Sequence, residues 1–125
     1  MIIHMDKPLP PQPPEKEEGN KEYKRYLKCK EKSENEFIEK RASQMLYRLI
    51  EGEGKAIYLV GVDDNGKIYS LDNKLIDETI RYLEIIARKI DAAIKVVRIY
   101  KNNVFTVRIK LSPLRLKNIQ SGLYN

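Results

Sequence analysis

Carboxylates, cationic side chains and a single thiol are the groups here that could do chemistry, and their spacing narrows what that chemistry is. Cys29 and His4 each occur once, so no intramolecular disulfide, His/Cys zinc site or Cys-His dyad can be assembled within one chain. A metal-assisted nuclease needs two or three carboxylates converging on a Mg²⁺ or Mn²⁺ ion that polarises phosphate and activates water. Glu17, Glu22 and Asp63 are the candidates. Glu22 on one strand and Asp63 at the end of another become neighbours if those strands pair, while an Asp ahead of Asn65-Gly66 is equally explained as turn chemistry. Gly52-Glu53-Gly54-Lys55 has the outline of a phosphate loop, but Leu49 stands where the Walker pattern needs Gly and Ala56 where it needs Ser or Thr. A helix C-cap running into a strand accounts for both glycines.

The cations are unevenly spread. Lys24, Arg25, Lys28, Lys30 and Lys32 cluster around the first strand of the domain, and Lys101, Arg108, Lys110, Arg115 and Lys117 lie beyond residue 100 with no acidic residue among them. Lys and Arg outnumber Asp and Glu by 24 to 18, for a net charge of +6, which suits an anionic partner such as RNA, DNA or an acidic protein face. Tyr23, Tyr26, Tyr100, Phe105 and Tyr124 lie near these charges and could stack on unpaired bases, with the inner-facing rings serving as core.

These groups must be positioned by one small domain, since 125 residues fall in the single-domain range. Residues 1–20 read as a tail: KPLPPQPP at 7–14 predicts extended polyproline II, then charged coil, outside any core. Residues 21–111 form the domain and 112–125 a basic C-terminal extension. Within the domain, Glu22–Leu27 alternates as an edge strand, with Tyr23, Arg25 and Leu27 on one face. Ser33 and Glu36 make a capping box for a helix whose stripe is Ile38, Ala42, Met45, Leu46 and Leu49, stopped by Gly52. Lys55–Val62 is apolar enough to be buried on both faces, and Asp63-Asp64-Asn65-Gly66 turns it into a partner strand, Lys67–Leu71. Asp72 or Asn73 caps a second helix with the stripe Ile76, Ile80, Leu83, Ala87 and Ile90. Two last strands, Ile94–Tyr100 and Val104–Lys110, join through Lys101-Asn102-Asn103. The expected class is α+β, order β-α-β-β-α-β-β, with two helices on one side of a mostly antiparallel sheet. No apolar run approaches the roughly 18–20 residues of a membrane span, and MIIHMDKPLPP lacks a signal-peptide core and cleavage site, so a cytoplasmic location is expected. The charged residues, at 34%, fit a thermophilic source.

The text EYKRYL and then SQMLYRLIEGEGKAIYLVGVDDNGKIYSL, within residues 22–71, resembles the N-terminal domain of the GTP-binding protein one type of translational GTPases, relatives of elongation factor Tu. Gln44, Met45, Arg48, Leu49, Glu51, Gly52, Gly54, Ala56, Ile57, Tyr58, Gly61, Val62, Asp63 and Gly66 carry it. That family's phosphate loop would follow the strand ending near Leu111, where this chain reads Ser112-Pro113-Leu114-Arg115, so the resemblance does not extend to GTP hydrolysis. The same region is similar to the Schlafen-type AlbA domain, through Glu17, Glu22, Tyr23 and Lys24 in E-x4-E-[FY]-K and Gly61, Val62, Asp64 and Gly66 in Gly-Val-x-Asp-x-Gly. This second resemblance implies nucleic-acid binding. For the Schlafens that cleave transfer or ribosomal RNA it implies a carboxylate triad, which here would be Glu17, Glu22 and Asp63 or Asp64.

The leading expectation is a noncatalytic RNA-binding module, with no cofactor, that associates with the ribosome or translation machinery. Docking on the RNA backbone would use Lys24, Arg25, Lys28, Lys30, Arg108, Lys110, Arg115 and Lys117. The alternatives are a Schlafen-like endoribonuclease using Mg or Mn, and a protein-interaction module docking by its Pro-rich tail.

Overall fold

The computed structural model describes residues 1–122. Five strands, β1 (Ile2–His4), β2 (Lys21–Lys24), β3 (Lys55–Val60), β4 (Ala92–Ile99) and β5 (Phe105–Leu111), make one sheet in the order β1-β4-β5-β3-β2. Helices α1 (Glu34–Glu51) and α2 (Asn73–Lys89) pack on one face, and α3 (Pro113–Gln120) follows β5. The α+β class and the two long helices on one side are as expected. The sheet is mixed: β3-β5 and β4-β5 are antiparallel, while the outer pairs β1-β4 and β2-β3 are parallel.

Local signals explain the helices. Ser33 Oγ accepts from the Glu36 N–H to start α1, and the Gly52 N–H returns to the Arg48 carbonyl to end it. Asp72, of the two candidates for α2, is the cap: its Oδ1 accepts from the Leu75 N–H at 2.7 Å. The α1 residues Phe37, Ala42, Met45 and Leu49 meet the α2 residues Ile76, Leu83 and Ile86 over the inner sheet residues Ala56, Tyr58, Val60, Phe105, Val107 and Ile109. A smaller core of Leu9, Tyr23, Leu59, Val62 and Val104 lies on the opposite face. β3 contributes to both cores, which is why its sequence is apolar at nearly every position.

Three expectations are corrected by tertiary contacts. The first strand stops at Lys24, because the Gly61 and Val62 N–H groups both turn to its carbonyl and Thr79 Oγ1 takes the Leu27 N–H at 3.1 Å. Tyr23 and Leu27, read as sharing a face, therefore join different cores. Lys67–Leu71 returns beside β3 through a single bridge, Val62 to Ile68, instead of a strand, since the Leu71 N–H goes to Asn103 O. The N-terminal residues are not a free tail: Ile2–His4 pairs with Val97–Ile99 as β1, and Leu9 is buried. Residues 113–120 are helical, capped by Ser112, whose Oγ accepts from the Arg115 N–H, with Leu116 and Ile119 laid against the main core.

From β1 the chain crosses the outer face as a strap. Asn102 binds the Leu9 backbone twice, donating from Nδ2 to its carbonyl and accepting from its N–H, the Gln12 N–H reaches Gly66 O, and the Glu15 N–H reaches Asp64 O at 2.7 Å. Gly66 has φ +90, and a Cβ there would sit 1.8 Å from the Gln12 carbonyl, so only glycine lets the turn and the strap approach each other.

Candidate nucleic-acid interface

Glu22, one of the carboxylates weighed for a nuclease site, is 3% exposed and points at α1. Its Oε1 accepts from Arg48 Nε at 2.9 Å, and Lys24 Nζ stands 3.5 Å from its Oε2. The same guanidinium donates to the carbonyls of Gly19 and Lys16, at 2.9 Å each, so the pair is fully committed to joining α1, β2 and the preceding loop. Glu17 is exposed, and its carbonyl accepts from the Tyr47 hydroxyl. The carboxylate that approaches Glu22 is Glu15, which accepts from the Tyr23 N–H at the free edge of β2 and lies 3.9 Å from Arg48. Burial raises the Glu15 pKa, and the charges of Glu22 and Asp64 add to the rise. Asp63 and Asp64 stay in the turn, Asp64 exposed. Among the described residues no three His, Cys, Asp or Glu side chains converge as a metal site.

The eight expected RNA contacts are split between three places. Lys24 is turned to Glu22, Arg25 stacks 3.8 Å over the Tyr69 ring, Lys28 is exposed, and Lys30 donates to the Tyr26 hydroxyl at 2.8 Å. That bond from Lys30, with its charge, lowers the Tyr26 pKa. Arg115 and Lys117 are on α3, where Arg115 lies 3.6 Å from an Asp91 carboxylate oxygen. Arg108 and Lys110 are exposed on the outer sheet face, because Val107, Ile109 and Leu111 between and beside them point into the main core.

There the structure adds two cations that the sequence reading missed. Lys55 is the residue opposite Lys110, and Ile57 stands between Lys21 on β2 and Arg108 on β5. Lys21, Lys55, Arg108 and Lys110 are all exposed, and among the described residues none of the four is ion-paired. Like charges directly across a sheet repel, so this arrangement works against the fold and favours a bound anion. Lys95, in the bulge of β4, lines a shallow cleft with Lys110 and Asp91. The signal for Lys55 was its position at the polar start of a buried strand, but only the pairing register brings it to Lys110.

The rings are less available than expected. Phe105 is fully buried, Tyr23 is buried with its hydroxyl donating to Pro13 O, and Tyr100 is half-buried against the second core. Tyr26 is half-buried, and Tyr124 lies outside the described residues.

No helix among the described residues is long and apolar enough to cross a membrane. No protein-family model matches the chain. It is 32% identical over 114 residues to an uncharacterized protein of Acanthamoeba polyphaga mimivirus, covering 90% of this chain and 58% of that protein. It is 42% identical over 86 residues to GTP-binding protein 2 of Mus musculus and of Homo sapiens, covering 69% of this chain and 14% of each relative. The chain is thus a partial homologue of GTP-binding protein 2, matching a small part of that protein's length.

Proposed function

We propose that the chain is a noncatalytic, cytoplasmic RNA-binding module of the Schlafen/AlbA-like kind, associated with the ribosome or another part of the translation machinery. The observation that carries this reading is the row of exposed cations on the outer sheet face, Lys21, Lys55, Arg108 and Lys110, none of them ion-paired among the described residues. Exposed cations without carboxylate partners release counterions when phosphates replace the solvent atmosphere, and that release drives binding without reading bases. Arg25, Lys28 and Lys30 form a second contact at the opposite end of β2. GTP binding, named for the mammalian relatives, is not part of the proposal, since Gly52–Lys55 closes α1 and begins β3. The nuclease reading finds no support in the site, where Glu22 serves Arg48.

Sedimentation of the tagged protein through sucrose gradients of cell lysate, at low and high salt and with a nuclease-treated control, tests the proposal. Migration with a ribosomal subunit, lost in high salt or after nuclease, is the expected result. A protein that stays at the top at both salts refutes it. Association that survives nuclease points instead to a protein partner on the strap, whose prolines Pro10, Pro11, Pro13 and Pro14 remain exposed.

A further inference from the structure

The outer sheet face also bears on which form of RNA it fits. Proteins that hold unpaired nucleotides do so with exposed rings on which bases stack, combined with cations along the backbone. Here the two halves of the face differ. At one end the strap covers Leu59, Val62 and Val104 and buries Tyr23 beneath Leu9 and Pro13. The other end, open to solvent, carries Lys21, Lys55, Arg108 and Lys110 around half-buried Ile57 and Val96, with no aromatic ring among the described residues.

Those cations lie on three adjacent strands, β2, β3 and β5, which a sheet holds about 4.8 Å apart. A rigid plane of charge without a stacking platform gains energy from phosphates alone. A duplex presents phosphates from two strands in a fixed array of high charge density, whereas a single strand must be ordered on the protein and recovers no stacking for it. We infer that the open half of this face takes base-paired RNA by its backbone, an inference that rests on the RNA-binding reading above and specifies its ligand.

The probes are a fluorescently labelled RNA hairpin and an unstructured RNA of equal length, titrated by anisotropy with the full chain at several salt concentrations. The hairpin is expected to bind at least tenfold more tightly, with a slope of log K against log salt of about −3 to −4 for four engaged cations. The double substitution Lys55→Glu, Arg108→Glu is expected to weaken hairpin binding at least tenfold and flatten that slope. Both positions are exposed, and a melting temperature no lower than the parent's would show that the loss is not unfolding. Equal or tighter binding of the unstructured RNA, abolished by the same substitutions, overturns the duplex inference and leaves the RNA-binding reading standing. Hairpin binding that ignores the substitutions overturns this face as the site. Failure to bind either RNA overturns both readings.

Discussion

Glu15 stands at the free edge of β2, where its carboxylate takes the otherwise open Tyr23 N–H. Capping an exposed edge donor in this way keeps another strand from adding there, but it brings a third negative charge toward Glu22 and Asp64. Burial and those charges raise the Glu15 pKa, and neither the Tyr23 bond nor Arg48 cancels the rise. Protonation is therefore favoured by folding. The group's stabilising contribution is complete below the usual carboxylate pKa and is lost as pH rises through the raised value. Glu15→Gln keeps an acceptor for Tyr23 and carries no charge, so the variant is expected to melt above the parent near pH 7, with the gap closing toward about pH 4. Thermal unfolding at the two pH values reads this directly. A gap of the same size at both would mean that the charge is not the cause.

At the scale of elements, much of the string that carries the family resemblance is architectural. Arg48 ties α1 to β2 and to the 16–19 loop through Glu22 and two carbonyls, and Gly52 ends α1. Removing the guanidinium strands Glu22, 3% exposed, without its main counter-charge, and breaking such a buried pair costs about 3–5 kcal/mol. Arg48→Ala is expected to lose stability on that scale in urea unfolding. Arg48→Lys should recover only part, because an ammonium cannot reproduce the three-way fork. A loss below about 1 kcal/mol in the alanine variant would show that the network does not hold the elements together. The helices, their caps and the β4-β5 hairpin were legible from periodicity and turn residues. The strand read at Lys67–Leu71 keeps its expected pairing around Ile68, where the Tyr69 N–H bonds the Gly61 carbonyl, and loses it at Leu71, whose N–H turns to Asn103.

On the scale of the whole molecule, residues 1–16 act as a clamp. β1 extends the sheet on one side, Leu9 closes the second core, and Glu15 reaches β2 on the other side. The clamp leaves uncovered the half of the face that carries Lys55 and Lys110. Gly66→Ala places a methyl against the Gln12 carbonyl at a positive φ, a backbone penalty of about 1–3 kcal/mol before the clash is counted. Limited proteolysis is expected to cut the variant between residues 5 and 16 several-fold faster than the parent while the remainder stays resistant. Unchanged cleavage would mean that the turn does not hold the strap.

By itself the sequence determined what is local: an α+β domain, two capped helices with their core stripes, a strand buried on both faces, and a cationic excess. It also marked Arg108 and Lys110 as candidates. These follow from periods of 3.6 and 2 and from the side chains that satisfy helix ends and turns, all decided within a few residues. Only the tertiary structure decided the strand order, the parallel edges and the strap across the sheet. It alone set Lys55 opposite Lys110, committed Glu22 to Arg48 and put Glu15 beside it where Glu17 was expected. Pairing between segments far apart in the chain depends on register and on competition for buried hydrogen bonds, and one residue's shift of register reverses which side chains face the solvent.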